Sequence, residues 1–231
     1  MILYLFIAFI LGDIIGFSSY WSSKRLSGGR IIYYIPRTRE GDYSVSSKMP
    51  VFWFLSRKKI DEVAGERKRL KRFLWEVFFG LIGVACVYLY GLSAKAVFIF
   101  ISFTLFGIFY RIENSDYSIP YPILIIYITN IIYYYLTGNI GIILSTLSVI
   151  VFIASMFHHF PLQIRRILIG VSMLMVVAGS YSILAYVMLN LIVLLFRVDH
   201  EIVRKTYYIS GIVLLVLGSI ISDGIGKIFT P

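Results

Sequence analysis

In the stretch RIENSDYSIPYP, residues 111–122, Glu113 and Asp116 lie three residues apart between two long apolar runs. Carboxyl groups where a membrane meets water can do general acid–base work, one form giving a proton and its conjugate taking one. The same stretch, ending in Pro120 and Pro122, also reads as a plain turn between two spans. Asp13, in LGDIIG, falls near mid-depth of the first apolar run, where a hydrogen bond or a structural ion inside a bundle competes with a reactive role. Glu76 lies four residues past a basic run. It is either an intramembrane functional acid or the partner of Arg72 one helical turn earlier. HHFP at 158–161 raises a metal, but adjacent histidines point to different helix faces and no third ligand is near, so no metal site or cofactor is expected.

The elements that must position these groups follow from composition. Of 231 residues, 59% are hydrophobic and 15% charged, against about 25% charged in soluble domains, so the fold class expected is an all-α polytopic membrane protein. The single cysteine, Cys86, excludes disulfides within the chain and cysteine-based metal sites. At about 20 apolar residues per span, the sequence divides into a first span at 1–19, a basic loop domain at 20–72 and a seven-span membrane domain at 73–226. The turns expected within the last are GLSAK, RIENSDYSIPYP, TGN, HHFPLQIRR, a break near GSYS, and RVDHEIVRK. Residues 28–44 have the look of a short strand or hairpin, and 58–72 of an amphipathic helix along the membrane. Tyr133, Tyr134 and Tyr135 read as an interface belt.

Charge sets the orientation. Segment 20–72 holds 14 of the 22 Lys and Arg. Eight alternating spans put Arg111, Arg165, Arg166, Arg197, Arg204 and Lys205 on the same side, leaving only Lys95 and Lys227 opposite. The positive-inside rule then places both termini outside and the protein in the cytoplasmic membrane. The net charge of +10 is thereby read as topology plus attraction to anionic lipid head groups, and no nucleic-acid partner is expected.

The order of features resembles the type IV prepilin leader peptidases, eight-span aspartic proteases of the GxGD type. Residues 16–26, GFSSYWSSKRL, match that family's first-span segment at Gly16, Arg25 and Leu26; KMPVFWFL at 48–55 matches its loop motif; and RFLWEVFFG at 72–80 brings Glu76 and Gly80 into register with the entry to span two. The resemblance implies a first catalytic aspartate seven residues before a proline. Counting back from Pro120 gives Glu113. The second catalytic aspartate belongs to a GxGD motif at the start of span six, where this chain reads HHFPLQIRRILIG, with Gln163 at the aspartate and Arg165 at a following lysine. No Asp or Glu occurs between Tyr117 and Val198. An aspartic dyad needs two carboxyls sharing a proton, and a Gln carboxamide cannot exchange one near neutral pH.

Three functions compete. A degenerate peptidase-like protein binds pilin-like signal segments or assembles with pilus or secretion components. An active, divergent peptidase pairs Glu113 with Asp116, Asp199 or Glu201. A transporter or lipid enzyme shares only the eight-span plan, although no phosphotransferase motif, Walker loop or HExxH is present.

Overall fold

The computed structural model describes residues 2–26, 66–112, 121–138, 140–157, 159–196 and 200–229. The strand expected within 28–44, Glu113, Asp116 and His158 lie outside these, as do the side chains of Arg25 and Arg72. All regular structure among the described residues is helical: α1 (Ile2–Leu26), α2 (Glu66–Tyr90), α3 (Ala94–Arg111), α4 (Tyr121–Thr137), α5 (Ile142–Ala154), α6 (Leu162–Val177), α7 (Gly179–Leu195) and α8 (His200–Phe229). Four segments, Ile2–Tyr20, Phe73–Tyr90, Ala94–Arg111 and Glu201–Ile221, are long and apolar enough to cross a membrane, and α4, α5 and α7 are shorter apolar helices. This is the architecture of a multi-pass membrane protein.

The helices end where local chemistry stops them. At the C-terminus of α2, Gly91 takes φ +65°, the left-handed conformation that only glycine adopts without strain, and its N–H bonds to the Val87 carbonyl at 3.0 Å. The Ser93 hydroxyl accepts from the Ala96 N–H at 3.2 Å and caps α3. Pro122 falls in the first turn of α4, where its missing N–H leaves no helical bond unmade. The break expected near GSYS falls one residue before it: Ala178 alone separates α6 from α7. Residues 66–72 continue without interruption into the apolar part of α2, so this part of the expected surface helix is the base of a membrane-length helix. ERKRLKR consists of strong helix formers with no breaker before FLWEV.

The chain divides into two compact units, Met1–Leu92 and Ser93–Pro231. In the first, α1 and α2 pack side by side and antiparallel: Gly83 meets Ala8, Gly12 meets Phe79, and Gly16 meets Glu76 and Phe79. In the second, α6 is the central helix, packed against α3, α5, α7 and α8. Its neighbours along the chain, α5 and α7, run antiparallel to it. Phe98 stacks on Tyr134 at 5.3 Å, Tyr127 on Phe152 at 4.1 Å, and Tyr110 lies over Tyr208 at 4.8 Å. Both units are inverted relative to a soluble protein. The inward face of α5 is Ser145, Ser148 and Phe152, whereas Ile142, Ile143, Leu147 and Ile150 face outward. On α1, Ala8, Gly12, Asp13, Gly16 and Ser19 face inward and Ile2, Leu3, Phe6, Ile10 and Ile14 outward. Small and polar residues line helix contacts when the surroundings are hydrocarbon, because lipid is as apolar as leucine and leaves close packing and hydrogen bonds to hold helices together.

Candidate functional site

Two guanidinium groups stand fully inside the six-helix unit. Arg165 and Arg166, near the N-terminus of α6, are 0% and 5% exposed. A helix N-terminus carries about half a positive charge and disfavours cations, so other groups must hold them. Arg165 Nε donates to the Ser155 carbonyl at the C-terminus of α5, at 2.9 Å. Arg166 Nε donates to the Phe109 carbonyl at 3.3 Å, and its Nη2 to the carbonyl of Ile112, the residue that caps α3. Carbonyls in the last turn of a helix have no intrahelical donor and carry the negative end of its dipole. Two such ends, from α3 and α5, meet two arginines from α6 at one end of the bundle. Gln163, two and three residues before these arginines, is half-buried.

This arrangement draws together chain segments more than fifty residues apart. In the sequence, Glu113 immediately follows Ile112, whose carbonyl Arg166 holds. Comparison with protein-family models, curated proteins and solved structures finds no match. The chemistry must therefore be read from the site itself. Arginines are donors only and stay protonated; with the Gln163 carboxamide they can hold backbone carbonyls or an anionic group. They cannot relay a proton.

In the two-helix unit, Asp13 is 5% exposed and Glu76 is fully buried. A Cβ built on Gly16 would come within 3.3 Å of Glu76 Cα, and Asp13 stands one turn away on the same face of α1. The Trp75 indole donates to Ser19 Oγ at 3.0 Å, and Ser19 in turn donates to the Gly16 carbonyl at 2.8 Å. Both carboxylates are thus built into the α1–α2 seam. Among the described residues no group of three His, Cys, Asp or Glu could hold a metal ion; His159 is exposed.

Sequence reading missed three features of the site. The burial of Arg165 and Arg166 depends on the ends of two other helices, which no local pattern reveals. The glycine spacing of α1, with Ala8, Gly12 and Gly16 each four residues apart, was legible as a close-packing face. Of the tyrosine belt, Tyr133 and Tyr135 face outward, but Tyr134 is buried against Phe98.

Proposed function

We propose that this chain is a non-proteolytic relative of the prepilin leader peptidases. In this reading it spans the cytoplasmic membrane eight times with both termini outside, and binds pilin-like signal segments or assembles with pilus or secretion proteins. The observation that carries it is the composition of the α6 entry: by the resemblance, Gln163 takes the place of the second acid and Arg165 that of the lysine after it, and no Asp or Glu occurs from 118 to 198. Arg166 ties that entry to the end of α3, from which Glu113 follows. Buried arginines that hold the ends of helices supply no proton relay for hydrolysis.

Purified protein in lipid nanodiscs, incubated with a prepilin substrate, is expected to leave the leader uncut. Loss of one partner of an acid–base pair removes about 10²–10⁴-fold in rate. A photo-crosslinking residue at position 163 is expected to capture the same substrate. Leader removal that disappears in Glu113→Gln identifies an active divergent peptidase and overturns the proposal.

Orientation has its own test. With Cys86 replaced by Ser, a membrane-impermeant maleimide added outside intact cells is expected to label Leu92→Cys and Gly141→Cys, but not Phe160→Cys or Phe196→Cys. All four positions are exposed in the structure, so a reversed or mixed pattern counts directly against the eight-span arrangement.

A further inference from the structure

We propose that Ser102 on α3 and Asn130 on α4 form an intramembrane site for a bound water molecule, bridged between the two side chains. Phe98 and Tyr134 stack across the α3–α4 seam. Ser102 and Asn130 lie one turn further along the same faces, so they stand at one level of an antiparallel pair. Ser102 is 1% exposed and Asn130 4%. Ten residues at 1.5 Å separate Ser102 from Ile112, about 15 Å from the end of α3, which is half the roughly 30 Å thickness of a bilayer's hydrocarbon core.

Neither Ser102 Oγ nor the Asn130 Oδ1 and Nδ2 atoms have a hydrogen-bond partner among the described residues. Other buried serines behave differently. Ser19, Ser23, Ser145, Ser155, Ser172 and Ser219 donate to the carbonyl three residues back on their own helices. Asn190, the other buried asparagine among the described residues, donates to the Tyr186 carbonyl one turn back. Ser102 and Asn130 therefore forgo a local bond that their counterparts take, and both do so at the same level of one seam. An unsatisfied amide in hydrocarbon is strongly disfavoured, and a buried water characteristically joins polar groups that the protein leaves unpaired.

The surroundings select a small neutral guest. Ile99, Phe103, Tyr127 and Ile131, which flank the two residues in sequence and are themselves buried, carry no charge, and an isolated ion is excluded by its desolvation. Asn130 offers two donors and an acceptor, Ser102 one hydroxyl; water supplies the complement of both. One turn toward the arginine end, the polar line continues. Ser148 Oγ donates to the Ser172 carbonyl at 2.7 Å, so the Tyr127 hydroxyl beside it is the donor of their shared bond. This inference stands apart from the proposed function and does not depend on it.

The test is water-edited solid-state NMR on the full chain in lipid bilayers, with the asparagine carboxamides labelled with ¹⁵N and the Asn130 signal assigned by its loss in Asn130→Leu. Magnetisation from water is expected to reach the Asn130 carboxamide as it reaches amides at helix ends, and to fall about fivefold in Ser102→Ala with the loss of one hydrogen bond. Ser102→Thr, which keeps the hydroxyl, is expected to retain the transfer. A carboxamide that receives nothing from water in the unmodified protein overturns the proposal, whether it pairs directly with Ser102 or stays dry. So does transfer that is indifferent to removal of the Ser102 hydroxyl.

Discussion

Replacing Arg166 by Met is expected to destabilise the six-helix unit by about 3 kcal/mol, from the loss of two hydrogen bonds with a charged donor. The carbonyls of Phe109 and Ile112 close α3, and Arg166 serves both. Met keeps much of the apolar stem and so its packing, which isolates the lost donors. The guanidinium is 5% exposed, so water cannot readily replace it. Arg166→Lys is expected to recover only part of the loss, because a single ammonium is a point charge and lacks the planar fork that reaches two carbonyls. The control is Lys205→Met. Lys205 pairs with Glu201 at 2.8 Å one turn away on α8, but the two side chains are 53% and 57% exposed, and such pairs contribute about 0.3–0.5 kcal/mol. Unfolding of the reconstituted protein, followed by thermal denaturation or by steric trapping, separates the two variants. Equal stabilities for Arg166→Met and Lys205→Met would mean that the arginine does not clamp the ends of the bundle.

The same arginine marks the line between what the sequence discloses and what it hides. Apolar runs and prolines are local facts: Pro120 and Pro122 announce α4, which begins at Tyr121, because the pyrrolidine ring acts on its own backbone. Hydropathy likewise places α1, α2, α3 and α8, since the hydrocarbon selects residues one by one. Arg165 and Arg166 read, in the chain, as basic residues near an interface. Their burial arises only because α3 and α5 end beside them, and the residues they bind, Phe109, Ile112 and Ser155, contribute backbone carbonyls that carry no sequence signature. Asn130 is similar: a single amide in an apolar run has no periodicity to reveal which seam it enters. Tyr133, Tyr134 and Tyr135 differ because successive helical residues turn by about 100°, so one tyrosine of three faces the bundle. For the acidic stretch itself, the part legible in structure is its anchor at Ile112; Glu113 and Asp116 lie beyond the described residues.

Gly12→Leu is expected to separate α1 from α2. A Cβ at this position would lie 2.4 Å from the Phe79 carbonyl oxygen and 2.9 Å from Gly80 Cα; one at Gly83 would lie 2.6 Å from the Ala8 carbonyl oxygen. These neighbours are backbone, which cannot swing aside as a side chain can, so the helices must move apart. In lipid no hydrophobic force draws them back, and the packing that glycine permits is what holds the pair. Overpacking of this kind typically costs about 1–3 kcal/mol, and each 1.4 kcal/mol is tenfold in an association equilibrium. In a Cys86→Ser background, Ser19→Cys with Trp75→Cys is expected to give a crosslink readily with a short bis-maleimide, which replaces the reach of the Trp75 indole that touches Ser19 Oγ at 3.0 Å across the seam. Adding Gly12→Leu is expected to lower its yield about tenfold, while Leu11→Phe, at an outward-facing position, leaves it unchanged. The buried carboxylate supplies an independent readout. Glu76 is fully enclosed with Gly16 against its Cα, so an apolar carbodiimide dissolved in the membrane is expected to spare it in the native protein and to modify it once Gly12→Leu opens the seam. Retained crosslinking together with continued protection of Glu76 in Gly12→Leu would show that the two helices are held by something other than their glycine contact.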